Sequence, residues 1–76
     1  MAKVTILKPD GTQLDMFDGI TKIEFTHFSN KFCVFGDDLI CTSYPTGVTY
    51  HLYSETASYT IDSRLVGAIL VEKSDS

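Results

Sequence analysis

Two cysteines and two histidines are the side chains of this sequence that could hold a metal ion. Cys33 and Cys41 lie between His27 and His51 along the chain. Thiolates and imidazoles are the ligands that zinc prefers in proteins. If each of the three intervening turns were a three-residue loop, the four side chains would form one row across four adjacent strands. The sequence therefore raises a zinc site as a hypothesis.

The spacing of strands weighs against that zinc site. Four adjacent strands about 4.8 Å apart spread the row over roughly 14 Å, whereas a tetrahedral zinc ion holds each ligand atom at about 2.0–2.3 Å. The three loops concerned are Ser29–Lys31, Gly36–Asp38 and Pro45–Gly47. With these loops Tyr50 and Leu52 would also lie on the face opposite the core. We therefore predict no metal site and no cofactor.

An even-numbered loop with Asp37 and Asp38 at its tip gives a better division of the side chains between two faces. The core face then carries Phe35, Ile40, Tyr44, Val48, Tyr50 and Leu52. In this register Cys33 points inward as a small apolar residue, and Cys41 is a surface thiol. We predict two reduced cysteines that differ in exposure.

Motifs of catalysis are absent from the sequence. There is no Gly-x-Ser-x-Gly elbow, no phosphate-binding glycine loop and no His-Glu helix motif. A domain of this size also encloses little volume for an active site. We predict that the protein is not an enzyme, and a small enzyme or metal site remains the second alternative.

Length and charge narrow the class of protein. The 76 residues suffice for one domain, 1–76, with one core. The net charge of −4 repels a phosphate backbone, so we predict no direct nucleic-acid binding. The longest apolar run, Leu65–Val71, is far shorter than the roughly 20 residues that span a bilayer, and Met1–Lys3 lacks the apolar stretch of a signal peptide. A cytoplasmic location without membrane contact is the prediction.

Short runs of β-branched and aromatic residues alternate with clusters of Gly, Pro, Asn and Asp along the whole chain. Their spacing of about 8–12 residues predicts an all-β fold, an antiparallel meander of six to eight strands forming a small barrel or roll. The alternative is an α+β fold in which Ser63 caps a C-terminal helix from Arg64 to Lys73. Val66, Gly67 and Ile69 favour a strand there.

Two turns fix the predicted register of the first strands. A three-residue loop at Pro9–Gly11 sets Ile6 opposite Leu14, and a two-residue turn at Asp18–Gly19 sets Leu14 opposite Ile23. One face then carries Val4, Ile6, Leu14, Met16, Ile23 and Phe25.

Some apolar and acidic side chains remain outside the predicted core. Three of them surround the Ser29–Lys31 loop on the outward face, two are the aspartates at the tip of the next loop, and one lies in a strand that is apolar on both faces. The predicted partner-binding residues are Phe28, Phe32, Val34, Asp37, Asp38 and Leu70.

The first strands also resemble other proteins. Lys3–Ile6, followed by Asp10–Gly11 and then Phe17, Ile20 and Ile23, resembles the start of small strand-only proteins from Gram-positive bacteria and their phages. The resemblance implies an accessory or host-interaction protein and transfers no site residues. We therefore predict a non-catalytic accessory module that binds a protein partner or a second copy of itself as a homo-oligomer. The alternative is an acidic phage-type inhibitor that blocks a nucleic-acid-binding protein.

Overall fold

The computed structural model describes residues 1–74, which form one antiparallel sheet of six strands. The strands are β1 (Ala2–Leu7), β2 (Gln13–His27), β3 (Asn30–Phe35), β4 (Tyr50–Ser54), β5 (Ser58–Ile61) and β6 (Ala68–Lys73). One helical turn, α1 (Asp38–Cys41), and one 3-10 turn, Ser63–Leu65, interrupt them. The all-β prediction is confirmed, and the alternative C-terminal helix is wrong because β6 occupies its place.

Strand β2 organises the sheet because it is 15 residues long and belongs to both halves. Its first half pairs with β1, and its second half pairs with β3 at one edge and with β4 at the other. Strand β6 continues the sheet beyond β1, and β5 continues it beyond β4. The strand order is therefore β5-β4-β2-β1-β6, with β3 beside the second half of β2.

The predicted turn at Asp18–Gly19 is wrong, because β2 runs through it without a break. Val4 pairs with Phe17 and Ala2 pairs with Ile20, so β2 has one more residue than β1 over this interval. Gly19 has a φ of +70°. A glycine with positive φ can serve a bulge as well as a turn, and a bulge bends the strand sharply. The bend carries β2 from one half of the sheet into the other.

The predicted pairing of the first hairpin is also wrong. Ile6 lies opposite Asp15 and not Leu14, and Leu7 lies opposite Gln13, so Leu14 is an extra residue in β2. The connection is closed by a bond from the Lys8 amide to the Thr12 carbonyl, 2.7 Å long. Leu14 still packs against the core.

The chain does not continue as a meander after β3. Residues 36–49 contain α1 and cross over, so that β4 pairs with the edge of β2 opposite β3. The Tyr44 hydroxyl donates to the Leu39 carbonyl at 2.6 Å, and the Tyr50 hydroxyl donates to the Pro45 carbonyl. These bonds hold the crossover, because both acceptors would otherwise be carbonyls without a regular strand partner.

The sheet encloses one core but does not close into a barrel. Strands β5 and β6 stand at its two ends. The helical turn α1 contacts both β3 and β6, and its Leu39 is buried against the core between them. The rings of Phe17 on β2 and Tyr59 on β5 also contact each other, with centroids 4.6 Å apart. The buried residues are Ala2, Val4, Ile6, Ile20, Ile23, Phe25, Val34, Leu39, Tyr50, Leu52, Ile61 and Val66.

The structure places four residues of the predicted core face outside the core: Cys33, Phe35, Ile40 and Met16. Phe35 is exposed because it pairs with Lys22 on the outer face of the sheet, and Ile40 is exposed because it lies in α1 instead of in a hairpin strand. Met16 pairs with Thr5 on the outer face of the sheet. Within residues 1–74, no helix has the length and apolar character needed to cross a membrane.

Candidate hairpin-tip site

The hairpin between β2 and β3 ends in an unusual turn. His27 pairs with Asn30, so Phe28 and Ser29 alone form the turn, with φ angles of +51° and +65°. Positive φ at both central residues is the mark of a type I′ turn, whose right-handed twist matches the flanking strands. The predicted three-residue loop at Ser29–Lys31 is wrong. The pair Phe-Ser contains neither Asn nor Gly, the residues from which a type I′ turn is usually predicted.

Phe28 is unfavourable in this position in two respects. Its backbone is left-handed, which costs a residue with a Cβ about 1–2 kcal/mol, and Asn-Gly would avoid that cost. Its side chain is 85% exposed and contacts the His27 ring with centroids 4.2 Å apart. Burial in the core and backbone preference therefore both fail to account for a phenylalanine here.

Phe32 supports the base of the hairpin. Its ring stacks on Phe25 with centroids 5.1 Å apart and an interplanar angle of 18°. Phe25 is buried, while Phe32 keeps part of its ring in solvent. The apolar surface therefore continues from the core to the outside near the hairpin.

The two-residue turn changes which side chains of β3 point outward. Val34 lies opposite Ile23 and belongs to the core, and Phe32 lies opposite Phe25 on the same face, so the prediction that both point outward is wrong. Cys33 lies opposite Glu24 and is exposed, so the prediction of an inward Cys33 is also wrong. A turn shorter by one residue moves every side chain of the strand to the other face.

Both cysteines are exposed and free, Cys33 on β3 and Cys41 at the end of α1. The predicted difference in exposure between them is wrong. In the described part of the chain, no three His, Cys, Asp or Glu side chains are close enough together to hold a metal ion. The row that suggested zinc does not form, because Cys41 is not on a strand.

A polar groove of about 660 Å³ lies on the outer face around Glu24. The Glu24 carboxylate lies 3.7 Å from the Lys22 ammonium and 3.6 Å from the Lys31 ammonium. The hydroxyl of Tyr53, together with these two cations, lowers the pKa of Glu24 below its usual range. A carboxylate with a lowered pKa is a weak general base near neutral pH. This cluster joins β2 and β3 electrostatically.

His51 lies beside Glu24 in the same groove. It pairs with Thr60 of β5, and its Nδ1 lies 3.1 Å from the Thr60 Oγ1. In residues 1–74, every buried side-chain nitrogen or oxygen has a hydrogen-bond partner. The groove therefore holds no buried polar group that would need a ligand.

The remaining predicted partner-binding residues lie elsewhere. Asp37 and Asp38 are exposed at the start of α1, and Asp37 makes no side-chain cap bond. Leu70 is 50% exposed on the outer face of β6. The structure therefore distributes the six predicted residues among the β2–β3 hairpin, α1 and β6 and does not join them in one patch.

Comparison of the chain with protein-family models, with curated proteins and with solved structures finds no match. The resemblance of the first strands to small Gram-positive and phage proteins stays a prediction.

Proposed function

We propose that this protein is a non-catalytic protein-binding module and that Phe28 is its main contact residue. The observation that supports the proposal is a nearly fully exposed phenylalanine in a left-handed turn. Aromatic side chains that fill a pocket of the partner are among the residues that contribute most to protein interfaces. An interaction outside the monomer accounts for a side chain that the monomer itself does not favour.

The hairpin is suited to present this ring. Its strands are paired without interruption from Lys22–Phe35 to His27–Asn30. A rigid hairpin loses little conformational entropy on binding, which favours affinity. The partner is a protein with an apolar pocket that admits one aromatic ring.

Both thiols are exposed and unpaired, which suits a reducing compartment. The proposal therefore places the module in the cytoplasm.

The test compares three immobilised proteins in one lysate of the source organism: wild type, Phe28→Asn and Phe35→Asn. Phe35 is an exposed phenylalanine at the other end of β3 and serves as the matched control. We expect at least one protein to be captured by wild type and Phe35→Asn and to be lost with Phe28→Asn. Equal capture by all three would contradict the proposal.

The acidic inhibitor is a second candidate, and it rests on Asp37 and Asp38. The Asp37 carboxylate stands at the start of a helical turn without capping it, so it is free to meet a cation. This candidate requires capture of a basic protein that added salt and the double variant Asp37→Asn/Asp38→Asn both abolish. Capture that persists in both conditions excludes it.

A further inference from the structure

The first four residues of β6 lack the features that usually keep an edge strand from pairing. β6 is joined to β1 by six consecutive residue pairs without a bulge, and within residues 1–74 its other edge has no partner strand. Edge strands are commonly protected by charges, proline, bulges or very short length. The segment Ala68–Val71 contains neither charge nor proline. The two charged residues of β6, Glu72 and Lys73, lie at its C-terminal end, beyond this segment.

The hydrogen bonds to β1 show which groups of β6 are free. The Ser74 amide donates to the Met1 carbonyl at 3.1 Å, which makes that pair a hydrogen-bonded one. Hydrogen-bonded and non-hydrogen-bonded pairs alternate along an antiparallel ladder. The backbone groups of Leu70 therefore point to β1, and those of Ile69 and Val71 point to the open edge.

We propose that β6 pairs antiparallel with β6 of a second copy of this chain, about a two-fold axis at Leu70. In this register Ile69 exchanges both backbone hydrogen bonds with the partner's Val71, and Val71 does so with the partner's Ile69. Leu70 faces the partner's Leu70 in a non-hydrogen-bonded pair, where the Cα atoms approach to about 4.5 Å. Both sheets then continue as one, with each core on the same side.

The apolar side chains of the outer face favour this register. Leu70 pairs with Thr5, which pairs with Met16, so the three form a row across β6, β1 and β2. Leu70 is 50% exposed and Met16 is 49% exposed. The two-fold axis joins this row to its copy and covers Leu70 from one side.

The charges agree with the same register. Glu72 pairs with Lys3 of β1 in the same chain. Across the proposed interface Glu72 pairs with the partner's Ala68, so no like charges face each other. A shift of the register toward the C-terminus would place Leu70 beside the partner's Glu72.

Sedimentation at micromolar concentration tests the dimer with two matched variants. Leu70→Lys places two ammonium groups together at the axis, and we expect association to weaken about 100-fold or more, a change of roughly 2.7 kcal/mol. Met16→Lys makes the same change in the same row, two strands from the axis, and we expect it to remain a dimer. A monomeric wild type, or equal effects of the two variants, would overturn the proposal. Circular dichroism confirms that both variants are folded.

Cysteine crosslinking tests the register in a Cys33→Ser/Cys41→Ser background. Leu70→Cys should form an intermolecular disulfide under mild oxidation, because its Cα separation falls within the range of disulfides. Ala68→Cys should not, because position 68 of one chain lies four residues along the strand from position 68 of the other, too far for a disulfide. Crosslinking of Ala68→Cys but not Leu70→Cys would exclude this register. Phe28→Asn leaves β6 unchanged, so loss of partner capture and loss of the dimer are separate outcomes.

Discussion

Phe28 occupies a position that is unfavourable for phenylalanine in the folded protein. Its ring contacts His27, but its backbone is left-handed and its surface is exposed. Strain of this kind is found more often at functional sites than elsewhere. The hairpin would form more readily with Asn at this position, which makes the cost of Phe28 measurable.

We expect Phe28→Asn to raise the free energy of unfolding by about 1 kcal/mol, because Asn tolerates the left-handed region better than Phe. Loss of the contact with His27 reduces the gain. Urea unfolding of wild type and variant measures the difference, with Phe35→Asn as the control at a residue without positive φ. A variant that is less stable than wild type would show that the ring contributes to the fold, and the argument for a binding role would lose its basis.

The crossover between β3 and β4 is the element that decides the order of the strands. Two tyrosine hydroxyls support it, that of the half-buried Tyr44 and that of the buried Tyr50, which donate to the carbonyls of residues 39 and 45. Burial, aided by the Asp38 carboxylate, raises the pKa of Tyr44 to about 12. Burial also raises the pKa of Tyr50 above its ordinary value.

These pKa shifts predict a loss of stability in alkali. The unfolded chain releases the phenolic protons near pH 10, whereas the folded chain keeps them to higher pH. Below about pH 10 the stabilisation is complete, and it declines as the pH rises from there through about 12, because proton release then favours the unfolded state.

Tyr44→Phe separates the two effects of the phenol. We expect it to be about 1 kcal/mol less stable than wild type near neutral pH, because one hydrogen bond is lost. Above about pH 10 its stability should fall less steeply than that of wild type, because one ionising group is gone. Urea unfolding at both pH values measures this, and parallel curves would contradict the assigned burial of Tyr44.

An open sheet must cover its core by other means than strand pairing. Here a single helical turn contributes Leu39, which is 2% exposed, to the opening between β3 and β6. Its neighbour Ile40 on the same turn is exposed. The two residues therefore offer a direct comparison of a covering side chain with a solvent-facing one.

We expect Leu39→Ala to cost about 2–5 kcal/mol, because it leaves a cavity under α1. Ile40→Ala should change stability by about 0.5 kcal/mol or less, since Ile40 is 48% exposed and lies outside the buried core. Thermal or urea unfolding of both variants measures the contrast. Similar losses in both would mean that α1 does not close the core.

The sequence by itself determined the all-β class and much of the core. Ile23, Phe25, Tyr50 and Leu52 were predicted on the core face and are buried. Alternating apolar residues reveal a strand and its inner face because the side-chain period of a strand is local. Phe28 was also identified as a candidate contact residue, because the sequence alone shows an aromatic side chain beside a predicted turn.

Only the tertiary structure decided the turns, and through them the partners of each strand. Gly19 suits a bulge and a turn equally, and Phe28 gives no sign of the two-residue turn that it forms. An error of one residue in the predicted length of a turn places every side chain of the next strand on the wrong face, as it did for Cys33 and Val34. The crossover after Gly36 was hidden for a different reason. Its hydrogen bonds from Tyr44 and Tyr50, and the covering of the core by Leu39, exist only once distant strands have packed, so no local pattern of residues could announce them.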